Sequence, residues 1–240
     1  SFILTAARPK LMNSVEREIP GWKAMARLRG GVTLVHTVKA LIALDSIPEY
    51  RNAIAEDKSN MRWAVLLHDL AKKPVDPITG AKIRDAIHPF RSAVLAAEIL
   101  PNHGFYVTDQ FQGSIESWSE YTNQAVTTDA KGRPIHGNAK LPGIITGINK
   151  MFERNSATSI IVKSILFHQS LNLLKEWPDA APLTDSELKL FINDDLLKVL
   201  GPLVRADSAS WQLFKPENRK KFDQQIEDRL KEIKSLIKKP

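Results

Sequence analysis

The chain has no cysteine. That one absence excludes disulfides, thiolate zinc fingers, iron–sulfur clusters and cysteine nucleophiles together. Any metal must then be held by nitrogen and oxygen from His, Asp and Glu. The lack also fits a reducing compartment, so a cytoplasmic location is expected. Long apolar runs are missing too. No stretch reaches the ~18 residues that a membrane-spanning helix needs, and no membrane partner is expected. Ser1-Phe2-Ile3-Leu4-Thr5 shows no basic segment followed by an apolar core, so no signal peptide is expected there. Internal repeats and low-complexity segments are absent as well.

What is present is a chain of 240 residues, 43% hydrophobic, with a net charge of +7. That is enough for one large domain with a true core, or a domain with an insertion and a tail. A basic surface favours phosphate-bearing ligands, although the same charge also serves solubility.

Apolar spacing is mostly helical. Leu34, Val35, Val38, Leu41, Ile42 and Leu44 fit one face of a helix ending before Pro48. Met61 to Lys72 reads as a second, buried helix, followed by a loop at Pro74, Pro77 and Gly80. Another helix runs through Phe90 to Leu100, with Pro89 in its first turn, where a missing N–H costs nothing. From about 101 to 142 the pattern fails, and a long irregular insertion is expected. Such segments are often lids or binding loops. Its Trp118 and Tyr121 suit either anchoring to the core or stacking on a base.

Regular helix returns at Gly143–Phe152 and Ala157–Glu176. Thr184-x-x-Glu187 is a capping-box signature. Asp194–Trp211 forms a further helix, with a kink expected at Gly201-Pro202. From Glu217 to Lys239 a charged helix carries Phe222, Ile226, Leu230, Ile233 and Ile237 on one stripe, which suits a helix–helix contact and so a homo-oligomer. No run of strands is evident. The expected fold is all-α: residues 1–212 as one helical domain with the insertion, and 213–240 as an amphipathic tail.

The most informative string is Leu66-Leu67-His68-Asp69-Leu70-Ala71-Lys72. An ionised carboxylate in so apolar a setting is costly unless paired or metal-bound. Four more polar residues stand in apolar contexts elsewhere: His36, His88, His168 and Asp207. Helical bundles build metal sites this way, from inward side chains on facing helices. The bland readings stay open: His88 could cap its helix, His168 could be a hydrogen-bonded core histidine, and Lys72 could be a solvated helix-end cation. His103 reads as a turn residue and His136 as a loop residue.

The order His36, His68-Asp69, Asp207 resembles the signature of the HD superfamily of metal-dependent phosphohydrolases. The local strings Val35-His36-Thr37-Val38, His68-Asp69-Leu70-Ala71-Lys72, His88-Pro89-Phe90-Arg91-Ser92 and Arg205-Ala206-Asp207 resemble it as well. Residues 21–100, with Ile19-Pro20 before them, are similar to the HD region of bacterial CCA-adding tRNA nucleotidyltransferases. The likeness covers roughly 20–100 and 157–210.

The resemblance implies an HD-domain helical bundle. It implies a first metal on His36, His68, Asp69 and Asp207, and a second, bridged by Asp69, on His88 and His168. One or two ions of Mn, Fe, Co, Ni or Mg suit such ligands, and Asp69 and Lys72 would take part in catalysis. Lys72, Arg91 and Arg205 would contact phosphate.

The implied activity is hydrolysis of a phosphomonoester or phosphodiester in a nucleotide or nucleic-acid end. The alternative is a non-catalytic metal-containing module that recognises nucleotide or RNA. Two departures narrow the field. Leu70-Ala71-Lys72 lacks the acidic pair of guanosine polyphosphate hydrolases, and Gln169 stands where the cyclic-di-GMP phosphodiesterase branch has a second His.

Overall fold

Helices form nearly all the regular structure of this chain, a computed structural model that describes residues 13–27, 32–73, 85–212 and 216–238. The loop expected at Pro74, Pro77 and Gly80 lies outside the described residues. In chain order the helices are α1 (Trp22–Arg27), α2 (Val32–Leu44), α3 (Pro48–Arg51), α4 (Ala55–Leu67), α5 (His88–Ile99), α6 (Ile115–Asn123), α7 (Leu141–Phe152), α8 (Ala157–Phe167), α9 (Asp185–Phe191), α10 (Asp194–Gln212) and α11 (Pro216–Ile237). Among the described residues the fold is all-α but for one small hairpin. No described helix is long and apolar enough to cross a membrane.

Helix α10 is the central post. It packs against α2, α4, α8 and α11, while α5 lies on α8. Leu200, Leu203 and Ala206 on α10 are fully buried, as are Ile161, Val162, Ile165 and Leu166 on α8. Pro202 lies inside α10, where its ring removes one backbone hydrogen bond.

Local signals set several helix starts. Ser156 caps α8 by accepting from the Ser159 N–H, and Thr184 and Glu187 complete the expected capping box of α9.

Helix α2 forms where its spacing predicts, but it buries a different face. Thr33, His36, Thr37, Ala40, Ala43 and Leu44 face inward, while Val35, Val38 and Ile42 are exposed. Apolar residues lie on both sides of this helix, so periodicity alone does not choose. The small Ala40 and Ala43 permit close approach of α10, and that face carries His36 inward.

Two predicted helices are shorter than expected. The second ends at Leu67, so His68 and Asp69 stand in the turn beyond it rather than inside it. The one starting at Ala157 ends at Phe167, not at Glu176.

The 101–142 segment is less irregular than its composition suggests. It holds α6 and an antiparallel hairpin, β1 (Val126–Thr128) with β2 (Pro134–His136), in which Val126 pairs with His136. Its anchor is Trp118, which is buried and donates its indole N–H to Ile144 O at 3.0 Å. The tail helix α11 packs on α10 and α9. Phe222, Ile226 and Ile233 are buried there, so the stripe that suited a contact between chains is occupied within the chain.

Candidate metal centre

Three histidines enter the centre from helix ends. His68 and His168 are the residues that close α4 and α8, and His88 opens α5. The last carbonyls of a helix lack intrahelical partners. His68 uses one, with Nδ1 2.7 Å from Val65 O, and His168 repeats the device with Ile165 O at 2.7 Å. His88 Nδ1 is held by the carbonyl of Asp85, in the turn that precedes α5.

His36 reaches in from the middle of α2. Its Nδ1 lies 2.6 Å from Ser210 Oγ, and the Ser210 hydroxyl donates to Asp207 O at 2.6 Å. With that proton committed, Ser210 Oγ accepts the His36 Nδ1–H. All four rings thereby have Nδ1 committed to a partner outside the centre and Nε2 pointing inward. Metal-bound histidines are oriented in this way.

The Nε2 atoms then meet at close range. His36 Nε2 and His68 Nε2 are 3.3 Å apart, and His88 Nε2 and His168 Nε2 are 3.1 Å apart. Asp69 stands between the two pairs and faces both. Its Oδ2 lies 3.3 Å from His36 Nε2 and 3.7 Å from His68 Nε2. Its Oδ1 lies 2.9 Å from His88 Nε2 and 3.9 Å from His168 Nε2. Asp207 Oδ1 closes the first group, 2.9 Å from His36 Nε2 and 3.7 Å from His68 Nε2.

Ring nitrogens and carboxylate oxygens packed this closely repel unless a positive charge, a proton or a metal ion, lies among them. Asp69 Oδ1 and Asp207 Oδ1 are buried acceptors with no hydrogen-bond partner. Buried carboxylate oxygens without donors are costly. The residues therefore fit a divalent cation: the ligand atoms of His36, His68 and Asp207 lie within 4.8 Å of one another, as do those of His68, Asp69 and His168, close enough in each case to hold an ion. The all-N/O donor set matches what a cysteine-free chain can offer.

The electrostatics agree. Burial opposes charge on Asp69, yet Lys72, His68, His88 and His36 hold its carboxyl well below the usual range. Burial also opposes charge on Asp207, but the His36 and His68 rings beside it hold its carboxyl well below the usual range. Burial works against the His36 cation, and the two carboxylates still raise it to about 9. In the absence of metal a proton on His36 is thus the local substitute for a cation. His168 is pushed well below its ordinary value by burial and by His88 and His68, so it stays neutral.

Of the phosphate-contact residues expected from sequence, Lys72 is at the centre. Its Nζ is 2.7 Å from Asp69 Oδ2 and 5.7 Å from the centroid of the Trp211 ring. Arg91 lies nearby but is engaged, pairing with Asp85 and donating to Ala71 O at 3.2 Å. Arg205 is not at the centre. It pairs with Glu49 at 3.4 Å and lines a separate cavity with Lys198, Lys231 and Lys234. Two residues along a helix turn a side chain about 200° from Asp207, so proximity in sequence placed it on the wrong face.

Three features escaped the sequence reading. Ser210 had a signal: it is three residues past Asp207 and so shares its helix face. Trp211 stacks on the His36 ring, centroids 4.5 Å apart at 27°. His136 is no loop residue. It sits in β2, buried, stacked at 3.7 Å on Phe90. His103, by contrast, ends a short 3-10 turn, packs on Trp63 and contacts Glu18 O, away from the centre.

The centre opens on one side. Asp207 is 18% exposed, while His36, His68, Asp69, His88 and His168 are each at 3% or below. A cavity of about 690 Å³ reaches His168 and Asp207 from that side. The chain matches no family model, no curated protein and no solved structure.

Proposed function

We propose that the chain is a metal-dependent phosphohydrolase of the HD type, hydrolysing a phosphomonoester or phosphodiester in a nucleotide or nucleic-acid end. The observation that carries this reading is Asp69. Its Oδ2 faces the Nε2 atoms of His36 and His68 and its Oδ1 those of His88 and His168, so one carboxylate would serve two ions.

His36, His68 and Asp207 would complete one ion's ligands, and His88 and His168 the other's. Ions bound there would acidify a water and draw charge from a phosphoryl oxygen, the pattern of two-metal phosphoryl chemistry. Mn, Fe, Co, Ni and Mg suit the donor set.

The remaining groups have roles of their own. Lys72 is held against Asp69, so its ammonium stays charged: burial opposes this, but Asp69 and Asp207 raise its pKa. That places a fixed positive charge beside the centre, where it can neutralise a phosphate oxygen. Asp207 marks the side from which an ester enters. A cytoplasmic location fits the lack of cysteine.

The experiment is metal analysis of the purified protein, with hydrolysis assays on a generic phosphodiester and a nucleotide panel, for wild type and Asp69→Ala. Stoichiometric metal, with metal and activity both lost in the variant, is the expected result. A folded protein that takes up no Mn, Co, Ni or Mg and hydrolyses nothing would sink the reading.

A further inference from the structure

The cavity that meets the centre at His168 and Asp207 has an aromatic far end. Trp177 and Phe222 line it there, with Leu173, Leu174 and Ile226. Phe222 is buried and supports Trp177 at 5.2 Å between centroids, yet Trp177 itself is 62% exposed. Indole is large and apolar, and this one, packed on Phe222 yet largely exposed and lining the cavity, offers a face on which a ring can stack.

The charges at this end are spoken for. Glu176 pairs with Lys221 and accepts from the Gln225 amide at 3.1 Å, and Asp179 accepts the Asn172 N–H at 2.6 Å. Among the described residues lining the cavity Lys221 is the one lysine, and it is paired with Glu176.

We infer that this cavity holds the ring of the substrate: the ester is a mononucleotide whose base lies on Trp177 and whose phosphate sits at the His168–Asp207 end. This rests on the phosphohydrolase reading and adds the substrate class to it. The volume of about 690 Å³ falls in the usual range for small-molecule sites, about 300–1,000 Å³. A long single strand would need a positively charged groove to follow its backbone, so the paired charges favour one nucleotide over a strand. With no uncommitted charged group at the ring end, recognition is by stacking. Purine and pyrimidine should both be accepted, since every base has a π-face.

The test is calorimetric binding to the full chain after metal loading, using AMP, CMP, ribose 5-phosphate and adenosine, for wild type, Trp177→Ala and Trp177→Phe. Trp177 is exposed, so neither change threatens the fold. AMP and CMP are expected to bind about tenfold or more tighter than ribose 5-phosphate, the scale of one base–aromatic stack. Trp177→Ala should erase that margin and Trp177→Phe should keep most of it. Equal binding of AMP and ribose 5-phosphate, an unchanged margin in Trp177→Ala, or no binding of either would overturn the inference. Metal content and phosphodiester hydrolysis of the same preparation separate the two failures. Hydrolysis without dependence on the ring overturns the ring pocket and leaves the phosphohydrolase. Adenosine binding that needs Trp177, in a protein that takes up no metal, keeps the pocket and removes the phosphohydrolase.

Discussion

Ser210 fixes the tautomer of His36. Its oxygen lies 2.6 Å from His36 Nδ1 while its own proton goes to the carbonyl of Asp207, also at 2.6 Å. A serine on α10 thus decides which nitrogen of a histidine on α2 stays free for a cation. The other three rings take the same support from backbone carbonyls, which substitution cannot remove. Ser210 is the one side chain through which the support can be tested.

Ser210→Ala should leave the fold intact, because it removes one oxygen from a buried site without adding volume. It should lower metal affinity by about 10–100-fold, the usual effect of losing a partner behind a metal-bound histidine. Competition titration with a chelator reads the affinity, and a thermal melt of the metal-free protein reads the fold. An affinity equal to that of wild type would show that Ser210 does not orient His36.

Much of the centre was legible because its residues violate their surroundings. His68, Asp69 and His168 interrupt apolar runs, and burial of such groups demands a partner. What was not legible depends on direction and on distant contacts. Arg205 and Asp207 are neighbours in sequence but point to different faces of α10. Val35 and Ile42 are as apolar as the residues that face the core, and only the approach of α10 decides between the sides. His136 looks like a loop residue in Pro-Ile-His-Gly. It becomes buried because the hairpin folds its ring onto Phe90, which is far away in sequence.

The insertion is fastened by the close approach of α6 to α7, and Gly147 permits it. A Cβ at Gly147 would collide with Trp118 Cδ1 and come within 3.0 Å of its Nε1. Trp118 cannot yield, since it is buried and its indole is held by Ile144 O. Gly147→Ala should therefore destabilise the chain by about 1–3 kcal/mol, the range for overpacking. Metal affinity should not change, because neither α6 nor α7 supplies a ligand. Urea denaturation with metal titration checks both. An unchanged urea midpoint would mean that Trp118 is free to move and is not the anchor.

His136 makes stability depend on pH. Burial, with the charges of His88 and Arg91 nearby, lowers its pKa from 6.5 to about 3, and its Nε2 has no partner. The folded chain keeps this ring neutral on Phe90 while the unfolded chain protonates it. The unfolded state binds the extra proton only between the two pKa values. The stabilisation is therefore full above about 6.5 and is lost as pH falls toward about 3. Within that window the slope from this one group approaches ~1.4 kcal/mol per pH unit. His168, whose pKa burial also pushes down, adds its own acid sensitivity, so the clean measurement is a difference. His136→Phe keeps a flat ring on Phe90 and cannot titrate. Urea denaturation of the metal-free wild type and variant across the acid range should show wild type losing ground steadily to the variant as pH drops. A difference that stays constant with pH would place the His136 ring in a setting where its proton is tolerated.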